Sequence, residues 1–135
     1  SLLSKGMTPL EIFHKMYDND PFSQWMGMEL VSIGTGTCTL RMAVRAEMLN
    51  GFGVAHGGIT FSLADSAFAF ACNSSGRHTV SIHCTVEHVA PVFANDILTA
   101  TATEENLGNS ISNYAIRVTK QDGSAVAFRK KQVWE

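Results

Sequence analysis

Cysteine is scarce in this sequence, and its spacing is irregular. The 135 residues include three cysteines, Cys38, Cys72 and Cys84, which form no CxxC pair. An odd number of widely spaced thiols argues against a disulfide framework and favours a reducing compartment, so we expect a cytoplasmic protein. The five histidines show neither an HxxxH nor an HExxH pattern. We therefore expect no metal site.

Charged residues are also few. Asp, Glu, Lys and Arg make up 16% of the chain, the formal net charge is -2, and the longest basic run is Arg129-Lys130-Lys131. This balance gives no electrostatic reason to expect a nucleic acid partner. We interpret the basic run as a solvated strand end. No apolar run approaches the length that spans a bilayer and no stretch resembles a secretion signal, so no membrane partner is expected.

The chain does contain enough apolar material for one compact domain, which we place over residues 1–135. Hydrophobic residues make up 45% of it, and a chain of this length can bury a sizeable core. Thr8-Pro9-Leu10-Glu11 predicts a capped helix that ends near residues 18–20, since Pro21 disfavours helical geometry in the residue before it. Alternating apolar and polar residues then predict strands over 28–34, 37–45, 79–89, 97–105, 111–120 and 124–134, with a hairpin turn at Asp122-Gly123.

The most informative segment runs from residue 50 to residue 76. A glycine-rich turn opens a long apolar helix, predicted over 58–75, in which Asp65 is the one charged side chain. A helix that is apolar all round is a buried helix, so we expect Asp65 at or near a buried surface. Carboxylates are costly to bury and gather at functional sites, which makes Asp65 a candidate site residue. The sequence thus predicts an α+β fold, with one buried helix against an antiparallel sheet of five or six strands.

Two short motifs carry a family resemblance. His56-Gly57-Gly58 opens the long helix, and Leu63-Ala64-Asp65 follows inside it. With Asn50-Gly51 before them and Pro91 after them, these motifs resemble the phenylacetyl-CoA thioesterase branch of the hotdog-fold acyl-CoA thioesterases. The likeness covers nearly the whole chain. It implies a hotdog fold, in which the sheet wraps a long central helix, and it implies hydrolysis of acyl-CoA thioesters.

The resemblance also implies roles for particular residues. Asp65 would act as nucleophile or general base, and the backbone N–H of Gly57 would polarise the thioester carbonyl. His56 and Asn19 would line the site. A glycine at position 58 lets a ligand approach the backbone closely, so Gly58 is expected to contact the substrate.

Further substrate contacts are expected beyond this group. Ser66 lies next to the catalytic carboxylate in sequence, and Phe68 is a candidate wall of the acyl pocket. The CoA phosphates would meet basic side chains at the rim of the site, for which Arg77, Arg129 and Lys130 are candidates. CoA is part of the substrate, so no separate cofactor is expected. The resemblance favours an aromatic acyl group such as phenylacetyl.

The spacing of the two main site residues predicts a second subunit. Gly57 and Asp65 are eight residues apart, which is roughly 12 Å along a helix axis. One thioester carbon cannot contact both residues within one chain. The partner group must then come from a second chain whose helix runs antiparallel. We therefore expect a homodimer with an interface site and an inactive monomer, and the dimers are expected to assemble into a homotetramer.

Several alternatives remain open at this stage. Asp65 could be a structural carboxylate in a non-catalytic acyl-CoA-binding module. An enoyl-CoA hydratase or dehydratase of the same fold ranks lower, because that chemistry usually needs an acid with a histidine and no such spaced pair accompanies the helix. His56 could order the turn by hydrogen bonding, and Asn19 could serve a local role at a helix end. Ser66 lacks the G-x-S-x-G elbow of a serine nucleophile.

Overall fold

The structure combines helices with one antiparallel sheet. A computed structural model of the chain describes residues 6–76, 80–107 and 111–134. The helices in these ranges are α1 (Pro9–Tyr17), α2 (Pro21–Met26) and α3 (Gly57–Asn73), and a short 3-10 turn spans Ala46–Met48. None of these helices is both long enough and apolar enough to span a bilayer. The strands are β1 (Glu29–Gly34), β2 (Thr37–Ala43), β3 (Val80–His88), β4 (Ile97–Leu107), β5 (Ile111–Thr119) and β6 (Ala125–Trp134).

These strands form one sheet in the order β1-β2-β4-β5-β6-β3, and each neighbouring pair is antiparallel. The strands β1 and β3 are therefore its two edges. The predicted hairpin joins β5 to β6. Gly123 has a φ of 84°, which favours glycine, and the Lys120 N–H donates to the Ser124 carbonyl at 2.9 Å. The predicted α+β arrangement is confirmed, with six strands.

The core lies between α3 and the inner face of the sheet. Helix α3 packs on β2, β4 and β5. The alternation predicted for these strands is confirmed, because the side chains of one parity are buried and cross-strand partners share a face, as in the Leu40–Ala100 pair. The residues buried in this way are Cys38, Leu40, Met42, Leu98, Ala100, Ala102, Tyr114, Ile116 and Val118.

The start of the chain contains one predicted helix and one that the sequence analysis missed. Helix α1 has the predicted capping box, in which the Glu11 N–H donates to Thr8 Oγ1 at 3.2 Å and the Thr8 N–H donates to Glu11 Oε1 at 3.1 Å. The short helix α2 was not predicted. Pro21, which the sequence marks as the end of α1, is also the first residue of α2, and the Asp20 carboxylate caps it.

Helix α3 is covered on one side and open on the other. It spans 57–73 rather than the predicted 58–75. Gly57 and Phe61 are exposed and the Asp65 side chain is 50% exposed. These positions recur every four residues and so form one strip on the helix. The expectation that Asp65 lies at or near a buried surface is therefore met in its second form, because the half-exposed Asp65 side chain follows the buried Ala64.

Candidate active site

The start of α3 carries an unused backbone donor. His56 is the N-cap residue, and its Nδ1 accepts the Gly58 N–H at 3.0 Å. The Ile59 N–H donates to the His56 carbonyl at 2.9 Å. Within the described residues no acceptor meets the Gly57 N–H, as is expected for a residue in the first turn of a helix. The positive end of the helix dipole lies at the same place, so Gly57 is suited to bind a partial negative charge.

His56 and Gly58 serve this helix start locally. Because His56 Nδ1 accepts a hydrogen bond, its other ring nitrogen, Nε2, carries the proton. His56 thus orders the turn by hydrogen bonding, and its contact with the substrate stays a prediction. Gly58 is exposed, and a Cβ there would lie 3.2 Å from His56 Nδ1. A side chain at position 58 would therefore crowd the cap.

A second histidine beside Gly57 was missed in the sequence analysis. A Cβ built on Gly57 would lie 3.8 Å from Cε1 of His88. His88 is the last residue of β3 and pairs with Ala127, whose buried side chain faces α3. Cross-strand partners point to the same face of a sheet, so the alternation along β3 is the signal that could have found His88.

Two cations contact the Asp65 carboxylate. Arg129 Nη2 lies 2.9 Å from Oδ1, and Lys131 Nζ lies 3.5 Å from the same oxygen. The side chains of Arg129 and Lys131 are only 3% and 12% exposed. Asp65 is therefore a paired carboxylate within the single chain. Both cations sit on β6 at alternate positions, which turns them toward α3.

Aromatic rings of α3 border the two cations. The Arg129 guanidinium carbon lies 4.2 Å from the ring centroid of Phe61, and Lys131 Nζ lies 4.2 Å from that of Phe68. Phe68 is 6% exposed and meets Tyr114 edge to face. One side of the Phe68 ring thus packs in the core. The other side borders the group formed by Asp65, Arg129 and Lys131, which we call the Asp65 cluster.

Ser66 and Asn19 do not contact the Asp65 cluster through any hydrogen bond in the described residues. Ser66 Oγ lies 2.8 Å from Ser23 Oγ, and Ser23 Oγ donates to the Asp20 carboxylate at 2.6 Å. This chain of bonds joins α2 to α3. The exposed Asn19 side chain donates to the Lys15 carbonyl at 2.8 Å, which is a local bond at the end of α1. Within one chain both residues have structural roles.

Two of the three predicted phosphate contacts, Arg129 and Lys130, lie on opposite faces of the sheet. Arg129 is buried and faces α3, so the interpretation of this basic run as a solvated strand end is wrong for Arg129 and for Lys131. Lys130 faces the outer side of the sheet, where it is 72% exposed and lies 3.8 Å from Glu105. Arg77 lies outside the described residues. The strand alternation separates Arg129 from Lys130, because consecutive side chains point to opposite faces.

The outer face of the sheet holds a depression of about 600 Å³, bordered by Thr101, Thr103, Glu105, Arg117 and Phe128. It lies on the far side of the sheet from Asp65. Among the described side chains, no group of three His, Cys, Asp or Glu residues could hold a metal ion. The groups suited to catalysis therefore lie on the open strip of α3 beside β6. There the backbone N–H of Gly57 and the half-exposed carboxylate of Asp65 are two helical turns apart.

Comparison with known proteins assigns the family. Residues 52–127 match the Thioesterase superfamily. The chain is 44% identical to the acyl-coenzyme A thioesterase PaaI of Escherichia coli strain K12 over 119 residues, or 87% of this chain and 85% of that protein. The structure of the E. coli PaaI protein from the phenylacetic acid degradation operon superposes with a TM-score of 0.90 at 38% identity, covering 94% of this chain and 92% of that one.

A second solved structure agrees. A mutant of the phenylacetic acid degradation protein PaaI from Thermus thermophilus superposes with a TM-score of 0.80 at 34% identity, covering 86% of this chain and 99% of that one. Both alignments cover most of the chain at an identity that shows common family membership. The chain therefore belongs to the thioesterase superfamily, has the hotdog fold that the resemblance implied, and is a thioester hydrolase.

Proposed function

We propose that this chain hydrolyses acyl-CoA thioesters to the free acid and CoA. The observation that carries the proposal is the pairing on one helix of a free backbone N–H, at Gly57, with a half-exposed carboxylate, at Asp65. Thioester hydrolysis needs a donor for the charge that develops on the carbonyl oxygen and a base or nucleophile at the carbon. The E. coli relative that is 44% identical bears the name acyl-coenzyme A thioesterase, which supports CoA as the leaving group.

The reaction can be written with these two residues. Asp65 takes a proton from water while the water oxygen bonds to the thioester carbon, and the carbonyl oxygen becomes an oxyanion that the Gly57 N–H stabilises. The tetrahedral intermediate then collapses with cleavage of the C–S bond, CoA leaves as its thiolate, and Asp65 returns the proton to the thiolate sulfur or to solvent. Direct attack by the carboxylate would give an anhydride that water hydrolyses to the same products. Both routes use only water and the groups of the chain.

The site is proposed to lie between two subunits. Both residues belong to α3, so their separation of roughly 12 Å along the axis applies within one chain. An antiparallel second copy of α3 would bring its Asp65 to this chain's Gly57. The strip of α3 that carries both residues is open, and the neighbouring strand β3 is a sheet edge with unpaired backbone groups. A homodimer would cover both features.

An aromatic acyl group, of the phenylacetyl type, is the proposed substrate class. Phe61 is 39% exposed beside Asp65, so the open strip already presents an aromatic surface. The E. coli PaaI protein belongs to a phenylacetic acid degradation operon, and the Thermus thermophilus PaaI is a phenylacetic acid degradation protein. A ring in the acyl chain could pack on such a surface with edge or offset geometry. Medium-chain and other aryl thioesters are the competing substrates.

A homotetramer in the cytoplasm completes the proposal. The outer face of the sheet has a depression of about 600 Å³ and an exposed aromatic ring, Phe128. A second dimer that packs on this face would cover both. Cys38 is a free, buried thiol, which suits a reducing compartment.

The test is release of free thiol from a panel of aryl- and alkyl-CoA thioesters, with wild-type protein and Asp65→Asn side by side. We expect turnover by the wild type, fastest with an aryl substrate, and a loss of about 10³-fold or more in the variant, in keeping with the size of general-base and nucleophile effects. Size-exclusion chromatography with light scattering shows whether the variant keeps its assembly. Thioester binding without any turnover by the wild type would instead indicate a binding module.

A further inference from the structure

The ion pair between Asp65 and Arg129 joins a half-exposed side chain to a buried one. Arg129 Nη2 lies 2.9 Å from Asp65 Oδ1, and the two side chains are 3% and 50% exposed respectively. Pairs in which both partners are exposed hold each other weakly, because water and salt screen them. A guanidinium removed from water depends far more on its partner. Arg129 is thus the fixed member of the pair, and its guanidinium controls the orientation of the Asp65 carboxylate.

Arg129 is itself held against α3. Its guanidinium carbon lies 4.2 Å from the centroid of the Phe61 ring, a distance typical of a cation–π contact. Phe61 precedes Asp65 by four residues, so the ring and the carboxylate lie on the same face of the helix. Strand β6 supplies the cation and helix α3 supplies two groups that contact it. The guanidinium is therefore fixed relative to the helix that carries the catalytic carboxylate.

Both cations contact the same carboxylate oxygen. Lys131 Nζ lies 3.5 Å from Oδ1 and 4.2 Å from the Phe68 ring. Across the described parts of the chain, Oδ2 of Asp65 has no such partner. A carboxylate can rotate about its terminal bond, which has a broad energy profile. Contacts to Oδ1 restrict that rotation and leave Oδ2 for water or substrate.

We propose that Arg129 is a positioning residue: by holding Oδ1 of Asp65, it fixes the carboxylate so that Oδ2 meets the reacting water or carbonyl carbon. This proposal rests on the proposed thioesterase function. It replaces the expectation that Arg129 contacts a CoA phosphate, because the guanidinium is buried and turned toward α3. Lys131 adds charge at a longer distance, but an ammonium is a point charge without the planar fork of a guanidinium.

The test compares kcat with the affinity for CoA in Arg129→Met. A misplaced base lowers the rate of the chemical step, so we expect kcat to fall by about 10- to 100-fold. The Kd for CoA, measured by calorimetry, should change by no more than about twofold, because the residue acts on Asp65 and not on the ligand. Arg41→Met is the matched control, since Arg41 also pairs with a carboxylate, Glu29 at 3.7 Å, on an exposed part of the sheet. It should leave both quantities unchanged.

Two further variants keep the test decisive if Arg129→Met fails to fold. Arg129→Lys retains the charge and should recover part of the lost kcat. Phe61→Leu removes the aromatic contact but leaves the ion pair, and it is assayed with a short alkyl-CoA thioester, which has no aromatic ring to pack on Phe61. We expect a smaller fall in kcat, about three- to tenfold, with an unchanged Kd for CoA, because Arg129 keeps its ion pair with Asp65 but loses the ring that holds the guanidinium.

The outcomes separate this proposal from the thioesterase proposal. A wild type without turnover on any thioester would contradict the function itself. A wild type that turns over, together with Arg129 and Phe61 variants that are folded and keep the wild-type kcat, would overturn only the positioning role. A weaker Kd for CoA at unchanged kcat would also overturn it and would return Arg129 to the role of a phosphate contact.

Discussion

At the scale of single residues, Gly57 offers the sharpest test of the proposed oxyanion donor. One substitution removes its N–H, and another adds a side chain but keeps the N–H. Position 57 is the first residue of α3, where proline is well tolerated. His56 before it has φ -58° and ψ 136°, the geometry that a residue preceding proline favours. Gly57→Pro should therefore remove the N–H without disturbing the helix.

We expect Gly57→Pro to lower kcat by about 10²- to 10³-fold, the usual effect of removing one oxyanion donor. Gly57→Ala is the matched control. It adds a Cβ that would lie 3.8 Å from His88 Cε1, an ordinary contact, and it keeps the N–H. Thiol-release kinetics of the two variants, with circular dichroism to check folding, make the comparison. Wild-type turnover by a folded Gly57→Pro protein would show that Gly57 is not the donor.

Cys38 should be chemically inert in the native protein. Burial raises the pKa of its thiol to about 12, so the thiol stays protonated near neutral pH, and only the thiolate is an efficient nucleophile. We expect iodoacetamide in neutral buffer to leave Cys38 unmodified in folded protein and to alkylate it in concentrated guanidinium chloride. Peptide mass mapping measures both. Equal labelling of native and denatured protein would contradict the buried position of this thiol.

At the scale of elements, the site depends on how α2 and β6 are joined to α3. Ser23 is fully buried and connects the Asp20 cap of α2 to Ser66 on α3. This connection holds α2 against the turn of α3 that follows Asp65. On the other side, β6 contributes Arg129 and Lys131. The carboxylate is thus placed by two elements that are far apart in sequence.

Ser23→Ala should destabilise the fold measurably. It removes two hydrogen bonds and leaves the Asp20 carboxylate and the Ser66 hydroxyl without this partner, so we expect the free energy of unfolding to fall by about 1–3 kcal/mol. Ser62→Ala is the control, since Ser62 Oγ makes only a local bond to the Gly58 carbonyl at 2.7 Å. Urea unfolding compares the two. Equal effects of both changes would contradict the importance of the α2–α3 connection.

At the scale of the whole molecule, the interface site can be tested by mixing two inactive chains. In a heterodimer of Asp65→Asn with Gly57→Pro, one site receives an intact Gly57 from the first chain and an intact Asp65 from the second. The other site carries both changes. Random pairing of equal amounts should then restore about a quarter of the wild-type activity, because half of the dimers are mixed and each has one working site.

The measurement is thiol release after co-refolding, compared with each variant refolded alone. The wild type refolded in the same way controls for losses in the procedure. An active mixture requires that Gly57 and Asp65 from different chains act on one substrate. If the mixture stays as inactive as its components while heterodimers are present by native mass spectrometry, both residues act within one chain and the interface proposal is wrong.

Much of the fold could be predicted because its signals are local. Alternation marked the strands, the Thr8 capping box marked α1, and Asp122-Gly123 marked the β5–β6 turn. Helix α2 was missed because the same proline, Pro21, both ends one helix and begins the next. Asp65 and Gly57 were identified from a motif, whereas the partners of Asp65 could not be, since Arg129 and Lys131 are 64 and 66 residues away in sequence.

The sequence by itself determined the class of fold, the family and the two residues on which the proposed chemistry depends. Periodicity and the HGG and LAD motifs are properties of neighbouring residues, so they can be read without coordinates. Only the tertiary structure decided which neighbours the Asp65 carboxylate has, that one side of α3 is open, and that Arg129 and Lys130 face opposite sides of the sheet. Those features depend on the order in which the strands pair and on how the sheet covers the helix, and contacts between distant segments leave no local pattern in the chain.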